Sequence, residues 1–328
     1  MTGRGAICVY SESREVALEL LSAGRPLAEQ VRSELLSIVL ETRASAGAAS
    51  EAIVAEQIAC GADAVVLVEE TPEAAGTAFA VEALLRVVHM REPAVLLVGG
   101  TVRGAELIAR LAQRLGVGCA SDCTELTIRN GQLEIERATL GRFSCRQVFR
   151  TRPALASVRP RRFAPPERRD ERRGGVERLR VEAPVDPVKV LDRRPRSARH
   201  ERIDRAACVG AGARGRRAAR ALPMIEALAQ TLGGAVGATR PLTNDLEWLP
   251  IDAKVGLSGT TVSPRLYIAC GISGQIEHII GMRESEVVVA INTDPTAPIM
   301  AEADYRVIGD LYELVPALTR ALRELQSG

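Results

Sequence analysis

Leu266-Tyr267-Ile268-Ala269-Cys270-Gly271-Ile272-Ser273-Gly274-Gln275-Ile276-Glu277-His278 is the stretch on which the fold turns. The apolar run at its start is too short for a helix and reads as a buried strand. It passes through Gly-Ile-Ser-Gly into a segment of helical composition. A strand, a glycine turn and a helix in that order set the helix N-terminus at the carboxyl end of a parallel strand, where α/β sheets bind phosphorylated ligands. His278 falls one turn into that helix, either as a satisfied structural residue or as a group facing an anion.

The same rhythm extends in both directions. Residues 206–209, 235–237, 287–291 and 305–308 read as further short strands. One helix follows Pro223, a good first-turn residue, with Ile225, Leu228, Ala229 and Leu232 on one face. Another runs from Leu311 through Leu314, Val315, Leu318, Leu322 and Leu325. In the first half, strands are expected at 7–10, 64–68 and 94–98. Helical spacing links Leu27, Val31, Leu35 and Val39, then Ile53, Ala55 and Ile58 behind a Ser50 cap. It recurs at Val81, Leu84, Leu85 and Val88, and at Leu107, Ile108, Leu111 and Leu115. Unbroken apolar strands alternating with amphipathic helices predict parallel sheets covered on both faces. Asn130-Gly131 between strand-like runs at 124–128 and 133–135 predicts a hairpin. Between residues 159 and 180, nine arginines, four acids, three prolines and a Gly174-Gly175 pair break all periodicity. That composition reads as an exposed connector or a basic tail. The chain is therefore expected to be α/β with two domains, each a mainly parallel sheet flanked by helices: 1–158, a linker at 159–202, and 203–328.

A length of 328 residues suits two domains, and 46% hydrophobic with 26% charged residues excludes wholesale disorder. No apolar run is long enough to span a membrane, and the N-terminus lacks the layout of a secretory signal. Seven scattered cysteines without a CxxC pair, Cys119 and Cys123 included, point to reduced thiols, a cytoplasmic location and no metal site. Of 43 basic residues only Lys189 and Lys254 are lysine, yet the net charge is +2 and aromatic residues are 3%, a poor basis for nucleic-acid binding.

Gly210-Ala211-Gly212-Ala213-Arg214-Gly215 spells GxGxxG after a strand. An NAD site would need a carboxylate at the end of the next strand, but Thr239-Arg240 stands there. The glycines still allow backbone N–H groups to approach an anion, and Arg214 can clamp a phosphate. Val255-Gly256-Leu257-Ser258-Gly259 is either a plain turn or a loop presenting Ser258. Asn292-Thr293-Asp294-Pro295 closes a strand, and Asp310 with Glu313 three later fits a helix cap. No nucleophile–base pair is evident, and His89, His200 and His278 are the only histidines.

Taken together, these segments resemble the C-terminal FAD domain of the electron-transfer flavoprotein α subunit family. They occur in the family's order through Ala290-Ile291-Asn292-Thr293-Asp294-Pro295-Thr296-Ala297-Pro298-Ile299 to Ile308-Gly309-Asp310-Leu311. The first half resembles the family's other domain more loosely. The resemblance implies a Rossmann-like FAD domain in which Arg214 contacts FAD, Thr239 stands where a serine is usual, and Arg240 lies against the isoalloxazine ring. A fixed cation there favours a ring carrying negative charge. The resemblance also implies Ser258, in the loop Val255, Gly256, Leu257, near flavin N5. It sets His278 near the C2 carbonyl, and Ser273, Gly274, Gln275, Ile276 and Glu277 along the pyrophosphate and ribityl side. Asn292, Asp310 and Leu311 fall toward the adenosine half. Leu257, Glu277 and Gln275 depart from the family's usual residues, and the first two are expected to lower the flavin potential.

The function so implied is an electron carrier rather than a stand-alone catalyst. It would pair with a β subunit and pass electrons from a donor dehydrogenase of the acyl-CoA type, as in fatty acid β-oxidation, to a quinone reductase or similar acceptor. Two alternatives accompany it. One is an electron-bifurcating subunit using NADH with a second FAD in the partner. The other is a non-redox adenine-nucleotide-binding regulatory or assembly subunit.

Overall fold

The structure, a computed structural model, describes residues 5–41, 47–70, 76–139, 143–182, 208–212 and 218–327. The chain divides into two compact units, Met1–Leu191 and Asp192–Gly328. Among the described residues no helix is long and apolar enough to cross a membrane.

The first unit begins with β1 (Ile7–Tyr10), α1 (Arg14–Val31), β2 (Leu35–Leu40), α2 (Ala48–Ala59) and β3 (Ala64–Glu70). It continues with α3 (Thr77–Arg91), β4 (Val95–Gly99), α4 (Val102–Leu115), β5 (Cys119–Arg129) and β6 (Gln132–Thr139). β7 (Phe143–Val148), β8 (Ala154–Val158) and β9 (Gly175–Val181) complete a sheet ordered β7-β6-β5-β8-β4-β1-β2-β3-β9. From β5 to β9 the neighbours are parallel, and β6 and β7 extend one edge antiparallel. Alternate residues of β1 face opposite ways: Ile7 and Val9 meet α1 and α2, while Cys8 and Tyr10 meet α3 and α4. Burial on both faces is why these strands read as unbroken apolar runs. The hairpin forms at Asn130 (φ 51°) and Gly131 (φ 73°), the pair of left-handed residues a tight two-residue turn requires.

Four expectations are corrected here. Leu27 and Val31 belong to α1, but Leu35 and Val39 lie in β2. The helix ends at Arg32 in the left-handed conformation (φ 53°), and Leu-Leu-Ser-Ile-Val-Leu then extends as a strand. Ser50 does not cap α2; Gly47 does, and the Ser50 hydroxyl donates to Glu41 Oε1 at 2.7 Å. Pro223 lies inside its helix rather than in the first turn. Finally, 159–202 is not a connector throughout, because Gly175–Val181 pairs with β3 from Ala64↔Gly175 to Glu70↔Val181. This strand is held by charge: Arg91 pairs with Glu177 (2.5 Å), and Arg178 with Glu51 and Glu69. Charged residues on an exposed edge hide the apolar period and protect the edge from pairing with other chains.

In the second unit, β10 (Cys208–Ala211), α5 (Ala218–Thr231), β11 (Ala235–Ala238), β12 (Tyr267–Cys270) and α6 (Ile276–Met282) come first. β13 (Val288–Asn292), α7 (Pro298–Glu302), β14 (Tyr305–Ile308) and α8 (Leu311–Ser327) follow. The sheet is wholly parallel in the order β11-β10-β12-β13-β14. Tyr267 and Ala269 pack under α6 and α7, whereas Ile268 and Cys270 pack under α5 and α8. β10 lies between β11 and β12, so the chain leaves it first to one side and later returns on the other. Loops diverge at such a switch point and leave a crevice at the carboxyl ends of the strands.

As an edge strand bonded on one side, β9 is expected to slow exchange at alternate amide hydrogens between 176 and 181 well below the rates at 167–172. Equal rates would return the segment to a connector.

Candidate functional site

The crevice is a cavity of about 640 Å³, within the range of small-molecule and cofactor sites. Its first wall follows β11. Thr239 N–H donates to the Ala211 carbonyl (3.1 Å), and Pro241 opens a single π-helical turn that carries the chain away. Thr239, Arg240 and Pro241 therefore line the space. Arg240 is exposed and makes no ion pair with any described residue.

The second wall is the stretch from Lys254 to Ser258. Val255 N–H donates to the Ala238 carbonyl at 2.9 Å, so this stretch runs beside β11. It is pinned from the other side where Leu257 N–H donates to the Glu277 carbonyl at 2.7 Å. Gly256 (φ 141°) has no room for a Cβ, which would stand 2.6 Å from that same carbonyl oxygen. Leu257 and Ser258 are presented outward, Leu257 with 65% exposure.

The third wall follows β12 and includes Ser273, Gln275, Glu277 and His278. Here the sequence reading needs adjustment. α6 has only seven residues, which leaves little helix dipole to aim at an anion. The first two glycines of GxGxxG also serve packing. Gly212 N–H is spent on the Cys270 carbonyl (2.9 Å), and a Cβ on Gly210 would lie 2.3 Å from the Tyr267 hydroxyl. Arg214 lies outside the described residues.

That hydroxyl is 2.9 Å from His278 Nε2, and both side chains are buried. Burial pushes the His278 pKa down from 6.5 to about 4, with the Val255 backbone pulling weakly the other way. The ring is thus neutral at pH 7. Its Nδ1 is buried and makes no hydrogen bond of acceptable geometry with a described residue, although the Val255 backbone lies close enough to the ring to act on its charge. A buried polar atom left unmatched on a cavity wall is what a missing ligand explains. The unpaired Arg240 guanidinium, the orphaned imidazole nitrogen and the cavity's size fit a large anionic cofactor.

Asn292 also lines the cavity, but its side chain is committed: Nδ2 donates to the Ile272 carbonyl (2.8 Å) and Oδ1 accepts from Asp294 N–H (2.9 Å). It shapes the rim. Gly274, Ile276, Asp310 and Leu311 are not among the lining residues. Gly274 packs on Ile299, Asp310 accepts from Tyr312 N–H (2.9 Å) as the cap of α8, and Leu311 packs on Gly271. Lining residues that sequence reasoning missed include Lys254, Ile272, Asp294 and Ala297. Only Lys254 carried a signal, as one of two lysines in a chain that otherwise uses arginine.

A crevice of this kind at the switch point of a doubly wound parallel sheet defines a cofactor-binding domain of the nucleotide type. Comparison with known proteins narrows the class. Residues 202–283 match the electron transfer flavoprotein FAD-binding domain, and residues 8–184 match the electron transfer flavoprotein domain. The chain is 36% identical to Protein FixB of Azotobacter vinelandii, across 97% of this chain and 90% of that protein. Its identity to Protein FixB of Rhizobium meliloti (strain 1021) is also 36%, across 94% and 89%. Electron transfer flavoprotein subunit alpha of Bacillus subtilis (strain 168) is 32% identical, across 96% and 94%. The chain belongs to the electron transfer flavoprotein α family, and its cofactor is FAD.

Two outcomes test the geometry. Gly210→Ala is expected to destabilise the protein by about 1–3 kcal/mol in urea unfolding, as overpacking does. Tyr267→Phe in the same chain should recover part of that loss, because the hydroxyl is the nearest of the atoms a Cβ would strike. The second outcome concerns pH. Below pH 6.5 the unfolded chain takes up a proton that folded His278 refuses until about pH 4. Stability from this residue is therefore complete above pH 6.5 and declines as pH falls toward 4. FAD-free His278→Gln should lose less stability over that interval than the parent.

Proposed function

We propose that this chain is the FAD-carrying α subunit of a heterodimeric electron carrier. The observation that supports it most directly is Arg240, a cation on the cavity wall that makes no ion pair with any described residue. Bound FAD supplies the one- and two-electron chemistry; the protein supplies the field around it. The Arg240 guanidinium favours negative charge on the ring. The Ser258 hydroxyl is a donor toward the flavin N5 side. His278, neutral and held by Tyr267, offers Nδ1 as a polar contact near the C2 carbonyl. Ser273, Gln275 and Glu277 run along the ribityl and pyrophosphate side. Arg214 is proposed as a further FAD contact, and Thr239 supports the ring end. No residue in this set abstracts a proton from a substrate.

In this reading the partner is an electron transfer flavoprotein β subunit. The donors are dehydrogenases of the acyl-CoA type, and the acceptor is a quinone reductase or a similar oxidoreductase. A second reading, bifurcation from NADH with another FAD in the partner, draws on Leu257 and Glu277 at the cavity, where they change the polarity around the ring. One flavin per heterodimer supports simple transfer, and two support bifurcation.

Arg240→Ala should weaken FAD binding to the heterodimer roughly 10- to 100-fold, the scale of a lost charged hydrogen bond. The alternative effect is a first-electron midpoint lowered by about 59 mV per tenfold change in the equilibrium. A parent heterodimer that purifies colourless and takes up no FAD would remove the proposal.

A further inference from the structure

Lys254 sits on the cavity wall and is only 8% exposed. Its backbone is held on both sides. It bridges Ala238 in parallel fashion, and its carbonyl accepts from Thr260 N–H at 2.7 Å. The aliphatic stem runs past Gly259, where a Cβ would come within 3.0 Å of Lys254 Cγ. Its ammonium has no hydrogen bond or ion pair with any described residue.

The acids bordering the cavity do not supply the counter-charge. Glu277 and Asp294 are both exposed, and Asp294 Oδ1 already accepts from Thr296 N–H (2.8 Å) and its hydroxyl (2.6 Å). The residue as a whole is largely enclosed, but Nζ is not one of the sealed, unmatched polar atoms and so keeps contact with the cavity space. The stem is packed in the wall and the ammonium is presented, unpaired, to an anion that enters the cavity. Arg240 leaves the same strand just beyond Ala238, so two cations face one space. Lysine is also the unusual choice in this chain, and its compact charge on a flexible stem suits a confined position better than a planar guanidinium.

We propose that Lys254 is an anion-binding residue of this cavity, its ammonium the counter-charge for the flavin nucleotide at the pyrophosphate or at the reduced ring. The inference rests on FAD occupying the cavity. It adds a second cation to the site, and one that no glycine or phosphate motif announces.

The heterodimer is stripped of FAD, and Lys254→Met, which keeps the stem and removes the charge, is compared with Lys254→Arg and the parent. The FAD-free Met variant should melt like the FAD-free parent, since methionine keeps the packed stem and the lost ammonium had no protein partner. Its complex with FAD should be the weaker one. About tenfold weaker binding of oxidised FAD, or about 1.4 kcal/mol, assigns the contact to the pyrophosphate. Unchanged affinity with a first-electron midpoint lowered by about 59 mV, a tenfold change for one electron, assigns it to the ring. Lys254→Arg should stay closer to the parent in whichever quantity moves. A Met variant that folds less well than the parent without FAD overturns the proposal. So does one that matches the parent in both affinity and midpoint. A parent that binds no FAD overturns the function proposed above as well, whereas a yellow parent with indifferent variants overturns only this assignment.

Discussion

The space above Gly210 governs the second unit. Tyr267, fully buried on β12, reaches across the neighbouring strand β10 at the one residue with no side chain and meets His278 on α6. One phenol thus links two strands and a helix, with both partners of its polar contact buried. A side chain at 210 would drive the hydroxyl away, free His278 Nε2 and disturb the cavity wall on which that histidine stands. Buried polar pairs of this kind specify an arrangement more than they stabilise it, because each unmatched member is expensive.

The same burial explains the chemistry the site can offer. His278 is kept neutral by burial, so the positive charges at the cavity are arginine and lysine. A carrier needs this and little more. Its task is to hold an electron at a suitable potential, and fixed charges around the cofactor meet that need without a nucleophile or a general base.

Much of this was legible before any coordinates. The parallel strands announced themselves because burial on both faces leaves no polar residues to interrupt them, and Asn130-Gly131 announced its hairpin through backbone geometry alone. Thr239-Arg240 and His278 come after strands whose carboxyl ends open on the crevice, and Val255 to Ser258 is a glycine-bracketed loop beside β11; all of them line the cavity. The failures have physical reasons as well. β9 is an edge strand whose charged residues carry no hydrophobic period. The stretch from Leu27 to Val39 imitates helical spacing across a helix end and a strand start. The GxGxxG glycines look like a phosphate cradle in one dimension, yet Gly210 and Gly212 answer to Tyr267 and Cys270, neighbours distant in sequence. Lys254 was passed over because its rarity in an arginine-rich chain says nothing of where it lies, and its burial becomes visible only in three dimensions.

The loop that carries Leu257 and Ser258 is clamped at Gly256 against the backbone of Glu277, and a Cβ on Gly281 would strike Gly256 in turn. Its backbone behaves as a rail rather than a hinge. Change at this wall is therefore a matter of exchanging side chains on the rail, because bending it would dislodge α6. Positions 257 and 258 become interchangeable fittings on a fixed mount, and the lining of the cavity can vary while the scaffold stays the same.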